Sequence, residues 1–573
     1  MVVSKSIRSC TLAVLACAAS FGPSRAAWDP DGNRVSFFAG SVIEYTAIPF
    51  GQGGVLVFWS YQDPVRGGTA GIQAQALDRD GNMLPGWGLD GLAPGALRSP
   101  LAIGFGEDDA RVVWLEYAGG TASIHIQRLL GGTLAPGWPV GGRIVVSAGP
   151  VEQLALASDA AGGVYLAWNQ APPPRAPDFR LLRLGTDGAP AAGWPAGGLV
   201  LAAPQASWYL ALAEDGAGGV YTAWSEPAVP SFSHETIRVH RFTPAGTPHT
   251  AWPVAGVAFG QGLAQPSLVP DGTSGLYVAW RPFVLCPVYD CIGCYCPSPL
   301  LATHVDGNGA LVAGWPASGM EFWDNVLVAP DAAGGLLVGR TSYDPAFSGR
   351  RGLAARLRPD GTPAPGWSLA GNPVCSERRQ QTSPSLLADG SGGAFASWID
   401  YRTFEPVLYV SRLTPSGSIA GGWPETGSIG AEAAVSPGFP VLVPAGAGEA
   451  VVVWTDSRSG SAQLYAEPAR PGPAGPPAPR VGLGFTVTDI RPNPARGAFW
   501  ATVSLPEPGI ATLELFDLAG RVLESRKLAG GRPGVVQMNA ASSLTPGVYW
   551  LRLRQGSLPS GMRTSLARVA VVR

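Results

Sequence analysis

A chain of 573 residues is too long for one ordinary hydrophobic core, so two or more domains are expected. Apolar residues make up 46% and charged residues 14%, which excludes a disordered polymer, and 78 glycines with 55 prolines suit many short strands joined by tight turns. The formal charge is −2, the only lysines are Lys5 and Lys527, and no basic block occurs, so nucleic acid is not an expected partner.

In chain order, the first feature is a secretory signal over residues 1–26. Lys5 and Arg8 give a positive start, residues 11–19 are apolar but too short to span a bilayer, and cleavage is expected after Ala19 or Ala26. Cys17 sits in a loose lipobox, Val14-Leu15-Ala16-Cys17. No later segment reads as a membrane span, so the expected location is secreted or on the outer cell surface.

Residues 27–467 are dominated by a repeat. One signal is a strand ending in Trp, as in Gly163-Val164-Tyr165-Leu166-Ala167-Trp168 and Gly219-Val220-Tyr221-Thr222-Ala223-Trp224. The register falls at Trp59, Trp114, Trp168, Trp224, Trp280, Arg340, Trp398 and Trp454, a period near 56 residues. An aspartate lies nine residues upstream in five copies: Asp159, Asp215, Asp271, Asp331 and Asp389. The other signal, Gly-x5-Trp-x3-Gly, occurs seven times, centred on Trp87, Trp138, Trp194, Trp252, Trp315, Trp367 and Trp423. Each period has room for four strands, read in the third copy as 153–158, 163–169, 179–184 and 199–202. Four antiparallel strands per repeat is the makeup of a propeller blade.

Eight Trp-ended strands against seven Gly-x5-Trp-x3-Gly turns leave the last repeat one strand short. Residues 28–35, with Trp28 and Gly32 four apart, match residues 138–145 and are expected to supply it. The reading is an eight-bladed β-propeller closed by an N-terminal strand, which removes open sheet edges. The Trp residues are expected to wedge between blades, and Arg340 marks a sixth blade that packs differently or faces a polar channel.

Residues 468–484 are Pro-rich and read as a semi-rigid linker. Beyond them, strands are expected at 485–490, 499–505, 512–517, 535–539, 548–554 and 567–572, an Ig-like sandwich. Pro492-Asn493-Pro494, then residues 513–521 with Asp517-Leu518-Ala519-Gly520-Arg521, then residues 544–552 with Pro546-Gly547-Val548-Tyr549-Trp550 follow in order. Together they resemble the C-terminal sorting domain of type IX secretion substrates and the related flagellar hook-cap Ig-like domain. The resemblance covers residues 485–573 and implies a passenger carried across the outer membrane, with the secretion machinery as partner. Those tails often carry a lysine near the final strand, where this chain has Arg568.

Candidate chemistry is sparse. Cys286, Cys291, Cys294 and Cys296 lie in one insertion; two disulfides are expected in an exported chain, with metal binding through Cys291-x2-Cys294 as the alternative, and Cys375 leaves the mature count odd. Residues 78–82 and 29–33 look faintly like calcium loops but lack the distal Glu, and turn chemistry accounts for their Asp, Gly and Asn. No catalytic residue is assigned and no cofactor is expected: the chain has no His-Glu-x-x-His, Gly-x-Ser-x-Gly or phosphate loop ending in Lys. The expected function is an exported or cell-surface binding and adhesion protein, with an extracellular protein or glycan as ligand. The alternatives are an extracellular polysaccharide hydrolase or lyase with its site in the channel, and a structural envelope protein.

Overall fold

The structure is a computed structural model. It describes residues 28–572 except 30–31, 38–39, 63–68, 85–92, 95–96, 107, 119–120, 132, 149–150, 171–177, 202–207, 228–234, 262–265, 283–298, 324–325, 345–348, 378–380, 383, 403–405, 432–436, 439, 447, 473–484, 497, 506–509, 530–533, 540–543 and 556–562. The expected signal segment, Trp87 with its Gly91, Cys286, Cys291, Cys294, Cys296 and most of the linker lie outside the described residues.

The fold is all-β, and the described residues contain no helix. Up to residue 468 the described strands form eight antiparallel sheets, six of them simple four-stranded meanders. The third is typical: Val151–Ser158, Val164–Gln170, Asp178–Leu184 and Leu199–Leu201 pair in that order. The second strands are buried over most of their length, and Leu276–Trp280 of the fifth sheet is buried throughout, because they run mid-sheet with another sheet packed on either face. Their sequences accordingly read as continuous apolar runs and not as an alternation.

Successive first strands pack against one another around a closed circuit. Val441–Pro444 of the eighth sheet returns to Ser41–Phe50 of the first. The eighth sheet takes its outermost strand from the start of the chain: Asn33–Arg34 pairs with Gln463–Pro468, Asn33 opposite Ala466 and Arg34 opposite Tyr465. Ser36 reinforces the seam through its Oγ, which donates to Gln463 Oε1 at 2.9 Å and accepts from the Leu464 N–H at 2.8 Å. The architecture is propeller-like.

Two details depart from the sequence reading. The second sheet carries a fifth strand, Thr133–Leu134, paired with Thr121–Leu130. The linker begins later than residue 468, because the buried Ala469 donates to Ala450 O at 2.8 Å and Gly472 N–H to Ser428 Oγ at 3.1 Å, tying both to the sheets.

The C-terminal residues form two packed sheets. Thr486–Arg491, Phe499–Ser504 and Gly534–Met538 make one; Val522–Ala529, Ile510–Phe516, Gly547–Gln555 and Arg563–Val571, in that spatial order, make the other. Their shared core includes Phe499, Leu513, Leu515, Met538, Leu551 and Val569, all fully buried. Val522–Ala529 was absent from the expected strands. It is an edge strand with Glu524, Arg526 and Lys527 along it, so it shows little apolar alternation.

Each motif behind the family resemblance has a job in this fold. Asn493 bridges to the last strand, donating to Arg568 O at 3.1 Å and accepting from the Ala570 N–H at 2.9 Å. Asp517 Oδ1 accepts the Ala519 and Arg521 N–H groups at 3.0 and 2.9 Å around a hairpin with Gly520 at φ +79°. Tyr549 Oη donates to Thr545 O at 2.8 Å.

Candidate functional site

Because neighbouring strands are antiparallel, the first-to-second and third-to-fourth turns of every sheet lie on one face of the circuit. The second-to-third connections and the links between sheets lie on the other. The two faces are built differently.

The first face is a repeated hydrogen-bonded weave. Asp159 Oδ1 accepts the Ala161 and Gly163 N–H groups at 2.8 and 2.7 Å, and its Oδ2 pairs with Arg183 at 2.9 Å. Arg183 then donates across to Pro244 O of the next sheet at 3.3 Å, and Tyr165 Oη donates to Gly218 O at 2.7 Å. Asp215 with Arg241, Asp331 with Arg356 and Asp389 with Arg412 repeat the ion pair. In the fifth sheet His304 replaces the arginine, its Nε2 lying 3.0 Å from Asp271 Oδ2 and its Nδ1 2.9 Å from Pro359 O. The repeated aspartates are therefore turn staples that also lock each sheet to its neighbour.

The tryptophans of the Gly-x5-Trp-x3-Gly turns complete the weave. Trp194 Nε1 donates to Pro244 O, Trp315 to Pro359 O and Trp367 to Pro415 O, at 3.0, 2.8 and 2.8 Å, each reaching the following sheet. Trp28 does the same from the eighth sheet to Arg79 O of the first, at 2.9 Å. Rings of Trp28, Trp138, Trp194, Trp252, Trp315 and Trp367 lie under the leading glycine of the next turn, where an added Cβ would collide with Trp28 and Trp138 and crowd the other four. Trp423 packs edge-on against Phe395, centroids 6.2 Å apart.

The opposite face carries the variation. Its second-to-third connections range from residues 119–120 in the second sheet to the whole stretch between Leu276–Trp280 and Leu300–Val305 in the fifth. Here an acidic residue two places after the strand-ending Trp, unnoticed in the sequence reading, recurs in four sheets: Glu116, Glu226, Asp400 and Asp456. Three accept the indole N–H, with Trp224 to Glu226 at 3.0 Å, Trp398 to Asp400 at 3.2 Å and Trp454 to Asp456 at 3.4 Å. Arginines close three of the pairs, Arg238 on Glu226, Arg402 on Asp400 and Arg458 on Asp456, and His125 Nε2 lies 3.0 Å from Glu116. The signal was present as Trp-x-Asp-x-Arg at 398–402 and 454–458.

A buried polar cluster lies between the sixth and seventh sheets. At the sixth sheet's Trp register stands Arg340, and Gly371 meets Leu353 where Gly32, Gly142, Gly198, Gly319 and Gly427 meet a Trp ring. The link between these sheets turns inward beside it. Val374 and Cys375 are buried, Gly352 N–H donates to Gln381 Oε1 at 2.7 Å, and Gln381 Nε2 reaches Asp400 Oδ2 at 3.0 Å and Cys375 Sγ at 3.0 Å. Arg402 pairs with Asp400, donates to Thr426 O at 2.9 Å and lies 4.3 Å from the Tyr409 ring centroid. Burial pushes the Cys375 thiol up, so it is protonated and a poor nucleophile. The sixth sheet thus has no Trp at this register, and Gln381, Asp400 and Arg402 beside it are buried.

Of the calcium-like segments, 78–82 is a turn, and 29–33 is described only at Asp29, Gly32 and Asn33. Asp78 Oδ1 accepts the Asp80 and Asn82 N–H groups at 2.9 and 2.8 Å, and Asn33 Oδ1 accepts the Asp29 N–H at 2.8 Å. Among the described residues no group of three or more His, Cys, Asp and Glu is placed to hold a metal.

No family model matches the chain, and no curated protein matches it. Solved structures similar to it include the polysaccharide lyase Uly1, at 9% identity over 67% of this chain and 91% of that one, with a TM-score of 0.34. A protein of unknown function from Dyadobacter fermentans matches at 11% identity over 77% and 99%, with a TM-score of 0.31. A post-proline cleaving enzyme from Rickettsia typhi matches at 8% identity over 73% and 57%, with a TM-score of 0.36. Likenesses this distant bear on neither substrate nor reaction.

Proposed function

We propose that this chain is an exported binding protein: an eight-bladed β-propeller that serves as a rigid platform, followed by an Ig-like tail that addresses it to type IX secretion. One observation carries the platform reading. Every first-to-second turn of sheets three to seven obeys one Asp-capped pattern, whereas the connections on the other face vary freely in length. A scaffold uniform on one side and variable on the other is how a rigid fold presents contact loops. Glu226, Asp400 and Asp456, near the ends of their second strands, each hold an indole and an arginine, which suits recognition better than acid–base chemistry.

The test is to challenge the purified chain with a panel of extracellular glycans and matrix proteins while assaying release of sugar fragments. Retention on a ligand without product supports the platform. Fragment release would overturn it in favour of the hydrolase or lyase alternative. The tail reading rests on the three ordered motifs, each holding a turn or an end strand. It is checked by removing residues 485–573 in a host with the type IX machinery, where the truncated chain is expected to remain periplasmic.

A further inference from the structure

Charge is divided unevenly along the chain. Residues 485–573 hold eleven Lys and Arg against five Asp and Glu, a net of +6, so with −2 overall the first 484 residues are net −8. Much of the excess gathers on one surface, the outer face of the four-stranded C-terminal sheet. Odd-numbered residues of Ile510–Phe516 and of the central part of Gly547–Gln555 point into the core, and even-numbered ones point outward. Pairing places Phe516 opposite Trp550, Trp550 opposite Arg568, Glu514 opposite Arg552 and Thr512 opposite both Lys527 and Arg554.

That face has two half-buried rings in cross-strand register, surrounded by Arg552, Arg554, Arg568 and Lys527, with Glu514 as its acid. Glu514 pairs with Arg552 at 2.8 Å, and the Arg552 guanidinium lies 5.0 Å from the Phe516 ring centroid. Val548 and Leu566, 41% and 55% exposed, extend the apolar strip. The other sheet is engaged elsewhere: Trp500 of Phe499–Ser504 packs against the core cluster of the sixth and seventh sheets.

We infer that this sheet face binds an acidic polysaccharide, a chain of uronate type. Flat rings offer stacking surface to the C–H faces of sugar rings, and arginine forks match carboxylates two bonds at a time. Cross-strand neighbours about 5 Å apart let one extended polymer meet rings and guanidinium groups in turn. The net negative remainder of the chain repels a polyanion, which confines the footprint to this face. The inference goes beyond the platform reading and does not rest on it.

The experiment measures binding of the full chain to polygalacturonate, with neutral pullulan, single-stranded DNA and phosphatidylglycerol vesicles alongside. Polygalacturonate is expected to bind, pullulan not, and affinity to fall with added salt. The double reversal R554E/R568E should weaken binding by about tenfold or more, and Lys527→Glu, on an edge strand where folding is least at risk, should weaken it less. Trp550→Tyr should retain most of it. Absence of binding, binding indifferent to these variants, or stronger binding to DNA or vesicles would overturn the inference. The propeller platform would survive any of these results.

Discussion

His240 shows how one side chain couples this fold to pH. It lies flat on Trp224, ring centroids 5.0 Å apart and planes 3° from parallel, beneath Gly256. Burial, and then nearby Arg238, lowers its pKa from 6.5 to about 4, against the opposing pull of Glu226. The ring is therefore neutral in the fold, while the unfolded chain takes up a proton first. Its contribution to stability is complete above pH 6.5 and is lost as the pH falls towards 4. Urea midpoints measured across that window should decline for the native chain and decline less for His240→Phe; equal slopes would place the acid sensitivity elsewhere. At this scale the Asp159 set is legible in the sequence because an offset of nine residues recurs, whereas Glu226 and Asp400 are not, because half the repeats have another residue there, as at Asn169-Gln170 and Arg281-Pro282.

Among elements, the turn before each fourth strand is the most demanding. Gly198 sits at φ +75°, and a Cβ there would lie 2.7 Å from the Trp168 ring. Gly422 also has positive φ, +84°, but nothing within 4 Å. Gly422→Ala should therefore cost only the left-handed backbone penalty, about 1–2 kcal/mol. Gly198→Ala should add about 1–3 kcal/mol of overpacking, measurable by urea unfolding. Equal losses would mean that the Trp168 contact is slack. Strands with strong apolar runs, such as Leu276–Trp280, were legible. Thr133–Leu134 and Val522–Ala529 were not, since a two-residue strand has no period and a polar edge strand has no buried face to betray it. The link containing Cys375 and Gln381 escaped for a third reason: its partners, Gly352 and Asp400, are set by packing between two sheets.

For the whole molecule, closure by the first described residues was legible from counting, because a strand missing from the last repeat reappeared with Trp28 and Gly32 at the other end. The structure places Gly32 against the Trp454 ring and Trp28 under Gly81, so this strand touches both the last sheet and the first. Deleting residues 28–36 should lower thermal stability and raise light scattering as an edge of Gln463–Pro468 is bared. A deletion variant as stable as the parent would show that the seam contributes nothing. What no count of residues could supply is the ligand, which depends on side chains converging from several sheets.

The same seam sets a timetable. Asn33 leaves the ribosome among the earliest residues of the fold, yet its partner Ala466 emerges more than four hundred residues later. The circle cannot be completed before Ala466 has emerged, and the contact that completes it joins residues far apart in sequence, the kind that forms slowly. Any fragment cut short before Ala466 holds a dangling first strand and an unfinished last sheet, a pair of sticky ends that two such fragments could exchange with each other.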